Sequence, residues 1–153
     1  MGVRMFFGAG IAALVLAAGA ACGGGSGSQQ GGSGSAATVA LAGSDYGKIL
    51  TGKDGKTLYM YDPDKQGKST CYGGCASAWP PLTVKSDPVA GKGVRDKLLG
   101  TVKRKDGSKQ VTYNDWPLYY WANDSSAGDV TGQGVDNIWW VVRADGKPVR
   151  KPA

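Results

Sequence analysis

The chain has 153 residues, with 18 Lys and Arg against 12 acidic residues and no His, a formal charge of +6. Without His it can build no Ser-His-Asp or Cys-His nucleophile system and no His-ligated zinc or haem. Every acid is Asp, so the glutamate that closes a calcium loop is missing as well.

In chain order, Arg4 and the apolar run over 5–21 have the form of an export signal, with a run a little short for a comfortable bilayer span. The run ends in Gly19-Ala20-Ala21-Cys22, which resembles the lipobox where bacterial lipoprotein precursors are cleaved and the Cys is acylated. Residues 1–21 are then a lipoprotein signal peptide and Cys22 the lipidation site. Cleavage at an Ala-rich site that frees the protein is the plain alternative. Residues 22–37 are dominated by Gly, Ser and Gln, which bury too little apolar surface to fold. They read as a tether from acylated Cys22, with a reach of roughly 20 Å. The mature protein stays basic, which on an exported chain favours membrane contact through the anchor, with anionic lipids or wall polymers as partners and not nucleic acid. A solvated basic surface with no partner is the plainer reading.

Residues 38–153 are the length of one modest domain. Strands are expected at 38–42, 46–51, 57–61, 100–105, 109–113, 117–121 and 138–143, with an edge at 147–150. Asp-Gly pairs at 54–55, 106–107 and 145–146 supply hairpin signals between them. Helical turns are expected at 71–79, stopped by Pro80-Pro81, and at 94–99. Two stretches repeat in register: Leu58, Tyr59, Tyr61, Asp64, Gly74 and Trp79 recur as Leu118, Tyr119, Trp121, Asp124, Gly134 and Trp139. The fold class is therefore all-β, a small antiparallel domain with pseudo-two-fold symmetry built from repeat one, about 46–84, and repeat two, about 100–143.

With Cys22 assigned to lipid, Cys71 and Cys75 form an even pair in an exported domain, for which a local disulfide is the default. A redox-active pair or a metal site competes less well. The spacing is C-x-x-x-C, and no His or further Cys completes a tetrahedral set.

The doubled Tyr-x-aromatic-x-x-Asp, the stretch Cys-x-x-x-Cys-Ala-x-x-Trp-Pro-Pro-Leu at 71–82 and the stretch Asp-Gly-Ser-x-Gln-Val-Thr-Tyr-x-x-x-Pro-Leu-Tyr at 106–119 resemble the bacterial lipoproteins described as a secreted repeat of unknown function. The resemblance spans 46–143 and implies export, lipid anchoring and a tandem repeat, but no reaction, ligand or cofactor. One departure is that Asp115-Trp116 precede Pro117 where that pattern turns on a Gly.

The candidate ligand site comprises Tyr59, Tyr61 and Asp64 with Tyr119, Trp121 and Asp124. Strand alternation puts Tyr59 and Tyr61, like Tyr119 and Trp121, on one face with Leu58, Met60 and Tyr120 opposite. One face is expected to be core and the other a surface, where an aromatic beside an acceptor suits a saccharide or flat ligand. Asp62 and Asp64, spaced as the first two ligands of a calcium loop, are a weaker metal candidate. No catalytic residue and no cofactor is assigned. The expected role is a non-catalytic binding or scaffolding module at the extracytoplasmic face of the membrane. A redox or haem-handling accessory, with Tyr or Met60 as axial ligand, is the alternative, and a hydrolase using Asp64 and Asp124 comes third.

Overall fold

The computed structural model describes residues 36–64 and 67–152. The expected signal peptide, Cys22 and nearly all of the tether lie outside the described residues. Eight short strands, one helix and two 3-10 turns follow in order. Strand β1 (Val39–Ser44) forms a hairpin with β2 (Gly47–Gly52), and β3 (Tyr59–Tyr61) pairs antiparallel with β8 (Trp139–Val141). Strand β6 (Lys109–Tyr113) is flanked by β4 (Thr83–Val84) and β5 (Leu99–Lys103) and also pairs with β7 (Trp116–Pro117). Helix α1 covers Gly74–Ala78, and the 3-10 turns are Asp96–Leu98 and Val135–Asn137. The domain is all-β and two-repeat, as its sequence leads one to expect.

The Asp-Gly pairs close three hairpin turns of one design. In the second, Gly107 N–H donates to Arg104 C=O, Arg104 N–H to Ser108 C=O, and Asp106 Oδ1 accepts from Ser108 N–H. Gly107 sits at φ 86°, the left-handed residue that lets a three-residue loop match the strand twist. The departure before Pro117 is absorbed by Asn114 and Asp115, both left-handed at φ 50° and 64°, which form a two-residue hairpin between β6 and β7 without a Gly. The strand expected at 117–121 is shorter than its pattern suggests. It ends at Pro117, and of the residues after it Tyr119 bridges to Tyr59 and Pro81.

The pseudo-two-fold runs between Tyr59 and Tyr119, whose backbones exchange hydrogen bonds of 2.8 and 2.9 Å. The pattern spreads outward in matched pairs. Asp62 N–H donates to Ile138 C=O while Ala122 N–H donates to Ala78 C=O, and Leu50 N–H to Val142 C=O while Val111 N–H donates to Leu82 C=O. Between the Asp and the Trp the register slips. Asp64 reaches Thr70, six residues on, whereas Asp124 reaches Thr131, seven on, so the left-handed Gly before each helical turn is Gly73 in one repeat and Gly134 in the other. The expected equivalence of Gly74 with Gly134 is therefore off by one residue. The extra loop residue is recovered because the turn before Trp139 is shorter than α1.

Period-two alternation sorts side chains into two cores. Leu58, Met60, Leu118, Trp140 and Val142 join Leu50, Val111 and Tyr113 on one side. Tyr59, Tyr119, Trp139 and Val141 join Ile49, Cys71, Trp79 and Val149 on the other. The expectation that one face of the motif strands would be a surface is corrected: hairpins cover one face and the helical loops cover the other, and Tyr61 and Trp121 are only half-buried at the margin of the second core.

Candidate functional site

The motif residues are joined across the two-fold. Tyr59 donates to Asp124 Oδ2 at 2.6 Å, and Tyr119 to Asp64 Oδ2 at 2.6 Å. The other oxygen of each carboxylate holds its own loop: Asp64 Oδ1 accepts from Thr70 N–H (2.7 Å) and Oγ1 (2.6 Å), and Asp124 Oδ1 from Thr131 N–H (3.0 Å) and Oγ1 (2.6 Å). Both tyrosines are fully buried and both aspartates nearly so. Burial and the adjacent carboxylate push the Tyr59 and Tyr119 phenols far above the ordinary range, so they remain proton donors. Burial also raises Asp64, against the opposing pull of its Thr70 and Tyr119 donors.

Beside these bonds stands a column of four stacked rings. Tyr61 lies 4.2 Å from Trp139, Trp139 lies 3.8 Å from Trp79 at 3° between planes, and Trp79 lies 4.1 Å from Trp121. Tyr59 and Tyr119 meet Trp79 and Trp139 edge-on at 5.4 and 5.3 Å. Each Trp is thus covered by the other repeat's aromatic, and the half-buried Tyr61 and Trp121 form the two ends of the column.

Cys71 and Cys75 are joined as a disulfide, with Cα atoms 5.3 Å apart, across the Tyr72-Gly73-Gly74 turn. Buried Arg104 anchors the same loop. Its Nη1 donates to Ser69 Oγ and Gln110 Oε1, each at 2.7 Å, and its Nη2 to Cys71 C=O at 2.8 Å. Ser69 Oγ shares a 2.7 Å hydrogen bond with Tyr119 Oη, linking the guanidinium to the Tyr119–Asp64 pair. The guanidinium carbon also lies 4.3 Å from the centre of the Tyr72 ring.

The candidate residues therefore fall into two groups. Tyr59, Asp64, Tyr119 and Asp124 come together, but inside the domain, with their polar atoms engaged by one another and by the two threonines. Tyr61 and Trp121 reach the surface. The weak calcium candidate is divided: Asp64 turns inward, while Asp62 accepts from Trp140 Nε1 at 2.7 Å and from Arg150 at 2.6 Å. Among the described residues no group of three or more His, Cys, Asp or Glu is placed to hold a metal ion. Met60, the other axial haem candidate, is fully buried in the hairpin-side core.

Sequence reasoning missed Thr70, Thr131 and Arg104. A Thr shortly after each motif Asp was a usable signal, obscured by the one-residue slip. Arg104 has no repeat counterpart to mark it, since the position 60 residues earlier is Ser44.

The family model described as a secreted repeat of unknown function matches residues 40–83 and again 100–143, the two halves related by the pseudo-two-fold. No curated protein and no solved structure matches the chain. With both motif copies in one domain and more than half of its length covered, the chain belongs to this family of secreted repeats.

Proposed function

We propose that the protein is a lipid-anchored module of the cell envelope that binds or scaffolds and catalyses no reaction. The observation that carries this reading is the internal closure of the motif. The carboxylates and phenols that a hydrolase or a tyrosine-ligated haem would use are buried and hydrogen-bonded to one another across the repeats. Groups committed in this way serve a scaffold, because freeing any of them leaves a buried polar partner unsatisfied. What the scaffold offers outward is aromatic, at Tyr61 and Trp121, and cationic. Secreted-family membership agrees with export, and the lipobox-like Gly19–Cys22 stretch supplies the anchor in this reading.

Two measurements test it. Labelled fatty acid should enter the wild type and be absent from Cys22→Ser, and the wild type should partition into detergent; soluble, unacylated wild type overturns the anchor. Purified domain should be retained on isolated envelope polymer, and Tyr61→Ala with Trp121→Ala should weaken retention of glycan while the domain stays folded. Passage through every envelope fraction without retention overturns the binding role.

A further inference from the structure

One difference between the two halves bears on the surface. In the second repeat Gln133 lies two residues after the loop-closing Thr131. Its amide donates to the carbonyls of Val149 and Lys151, each at 2.7 Å, and its carbonyl accepts from Val141 N–H, so the C-terminal segment is clamped over that loop. Tyr72 holds the corresponding position after Thr70 in the first repeat, and there the loop borders an open cleft of about 520 Å³. Its walls are the 67–72 loop and the end of β5 with the residues after it. They carry Lys68, Tyr72, Lys103, Arg104 and Lys105 and no acidic side chain.

The charges are arranged in two tiers. Lys68, Lys103 and Lys105 are exposed and, among the described residues, take part in no ion pair. Lys103 at the end of β5 and Lys105 in the hairpin loop stand on either side of Arg104, and all three line the cleft. Arg104 is 4 % exposed and fixed by its three hydrogen bonds, yet its Nε has no hydrogen-bond partner. The nearest carboxylate, exposed Asp106, accepts from Ser108 through Oδ1 and brings Oδ2 only to 4.0 Å from this Nε, a loose ion pair beyond hydrogen-bond reach. A buried guanidinium whose Nε makes no hydrogen bond, framed by three exposed ammonium groups and offset only by one loose, solvent-exposed carboxylate, leaves an excess of positive charge that suits an anion.

We propose that this cleft binds a phosphodiester-bearing polymer of the envelope, a ligand class that refines the binding-module reading and rests on it. A phosphodiester keeps its charge at every pH the envelope meets and offers two free oxygens to separate donors. Repeated along a polymer, it matches several lysines spread over a cleft larger than one phosphate needs. Tyr72, within 4.3 Å of the Arg104 guanidinium and 5.2 Å of Lys105 Nζ, supplies an apolar face for the backbone carbons between phosphates.

The test compares the full chain with Lys68→Gln/Lys103→Gln/Lys105→Gln for binding to poly(glycerol phosphate), measured by titration calorimetry over a range of salt. The wild type should bind with strong salt dependence. The triple variant should bind at least about tenfold more weakly, with a salt slope reduced by about two to three and an unchanged melting temperature. Equal binding by the variant overturns the site, as does equal binding of the wild type to a polyuronate of matched charge density. Preference for phosphatidylglycerol vesicles over the polymer overturns the polymer in favour of a membrane surface. Wild type that is retained by envelope material yet does not bind poly(glycerol phosphate) sinks this proposal alone, whereas no retention of the wild type by any envelope fraction sinks the binding-module reading with it.

Discussion

Tyr59 donates a 2.6 Å hydrogen bond to Asp124 Oδ2, tying a residue of the first repeat to a carboxylate of the second in a place water does not reach. A neutral donor on a buried carboxylate is worth more than an average hydrogen bond, because its removal leaves a desolvated acceptor behind. Tyr59→Phe should therefore cost about 1.5–3 kcal/mol in urea unfolding. Asp124→Asn should cost a similar amount, and the double variant less than the sum of the two. Additive costs would show that the two groups do not depend on each other.

The same burial sets a pH limit. Tyr59 and Tyr119 are raised by burial and then by their carboxylates, and Tyr120 is pushed up to about 12 by burial and the Asp54 charge, from an ordinary 10.0. Phenols whose folded pKa lies above the unfolded value stabilise fully below pH 10, and that contribution is lost as pH rises through the folded values. Stability should thus decline steadily above about pH 10, and Tyr59→Phe should flatten the decline. Asp64 carries the same sign lower down, since burial raises its carboxyl. Its contribution is complete below the ordinary carboxylate value and shrinks as pH rises through the folded one. Acid unfolding therefore does not begin at Asp64.

Much of this architecture was legible because the two repeats print the same aromatic and acidic residues at one spacing. That spacing called for two copies related by a pseudo-two-fold in one domain. Legibility stopped where one strand meets two environments: alternation separates Tyr59 from Met60 but does not say that both sides are covered. The covering elements are loops whose contacts, such as Arg104 to Cys71 over 33 residues, leave no periodic trace. The candidate aspartates looked like surface groups for that reason, and their partners, Thr70 and Thr131, were hidden by a one-residue slip.

The Cys71–Cys75 bridge closes a loop of five residues, for which chain entropy gives about 2 kcal/mol. Cys71→Ser should lower stability by no more than about that amount and leave the fold intact, because Arg104 still holds the Cys71 carbonyl. Alkylation before and after reduction should find both thiols masked in protein taken from its native compartment. Two free thiols there would contradict a structural bridge.

Trp79 and Trp139 stack at 3.8 Å and are 4 % and 2 % exposed, so neither has anywhere to go when the other is removed. Alanine at either position should cost about 3–5 kcal/mol and affect the two halves alike. Near wild-type stability for Trp79→Ala but not for Trp139→Ala, in thermal unfolding, would make the symmetry superficial and mark Trp79 for another role.

Gly132 provides the narrowest test of the packing. A Cβ there would lie 2.9 Å from Trp79 Cη2 and 2.9 Å from Tyr59 Cζ. Neither ring can retreat: Trp79 is held between Trp121 and Trp139, and Tyr59 is fixed by its bond to Asp124. Gly132→Ala should therefore destabilise by about 1–3 kcal/mol through overpacking, although it adds one methyl group. Gly43→Ala, whose new methyl meets no atom within 4 Å, should stay within about 0.5 kcal/mol of wild type. Equal melting temperatures for the two variants would mean that the ring column has slack, and that its stacking is not what holds the repeats together.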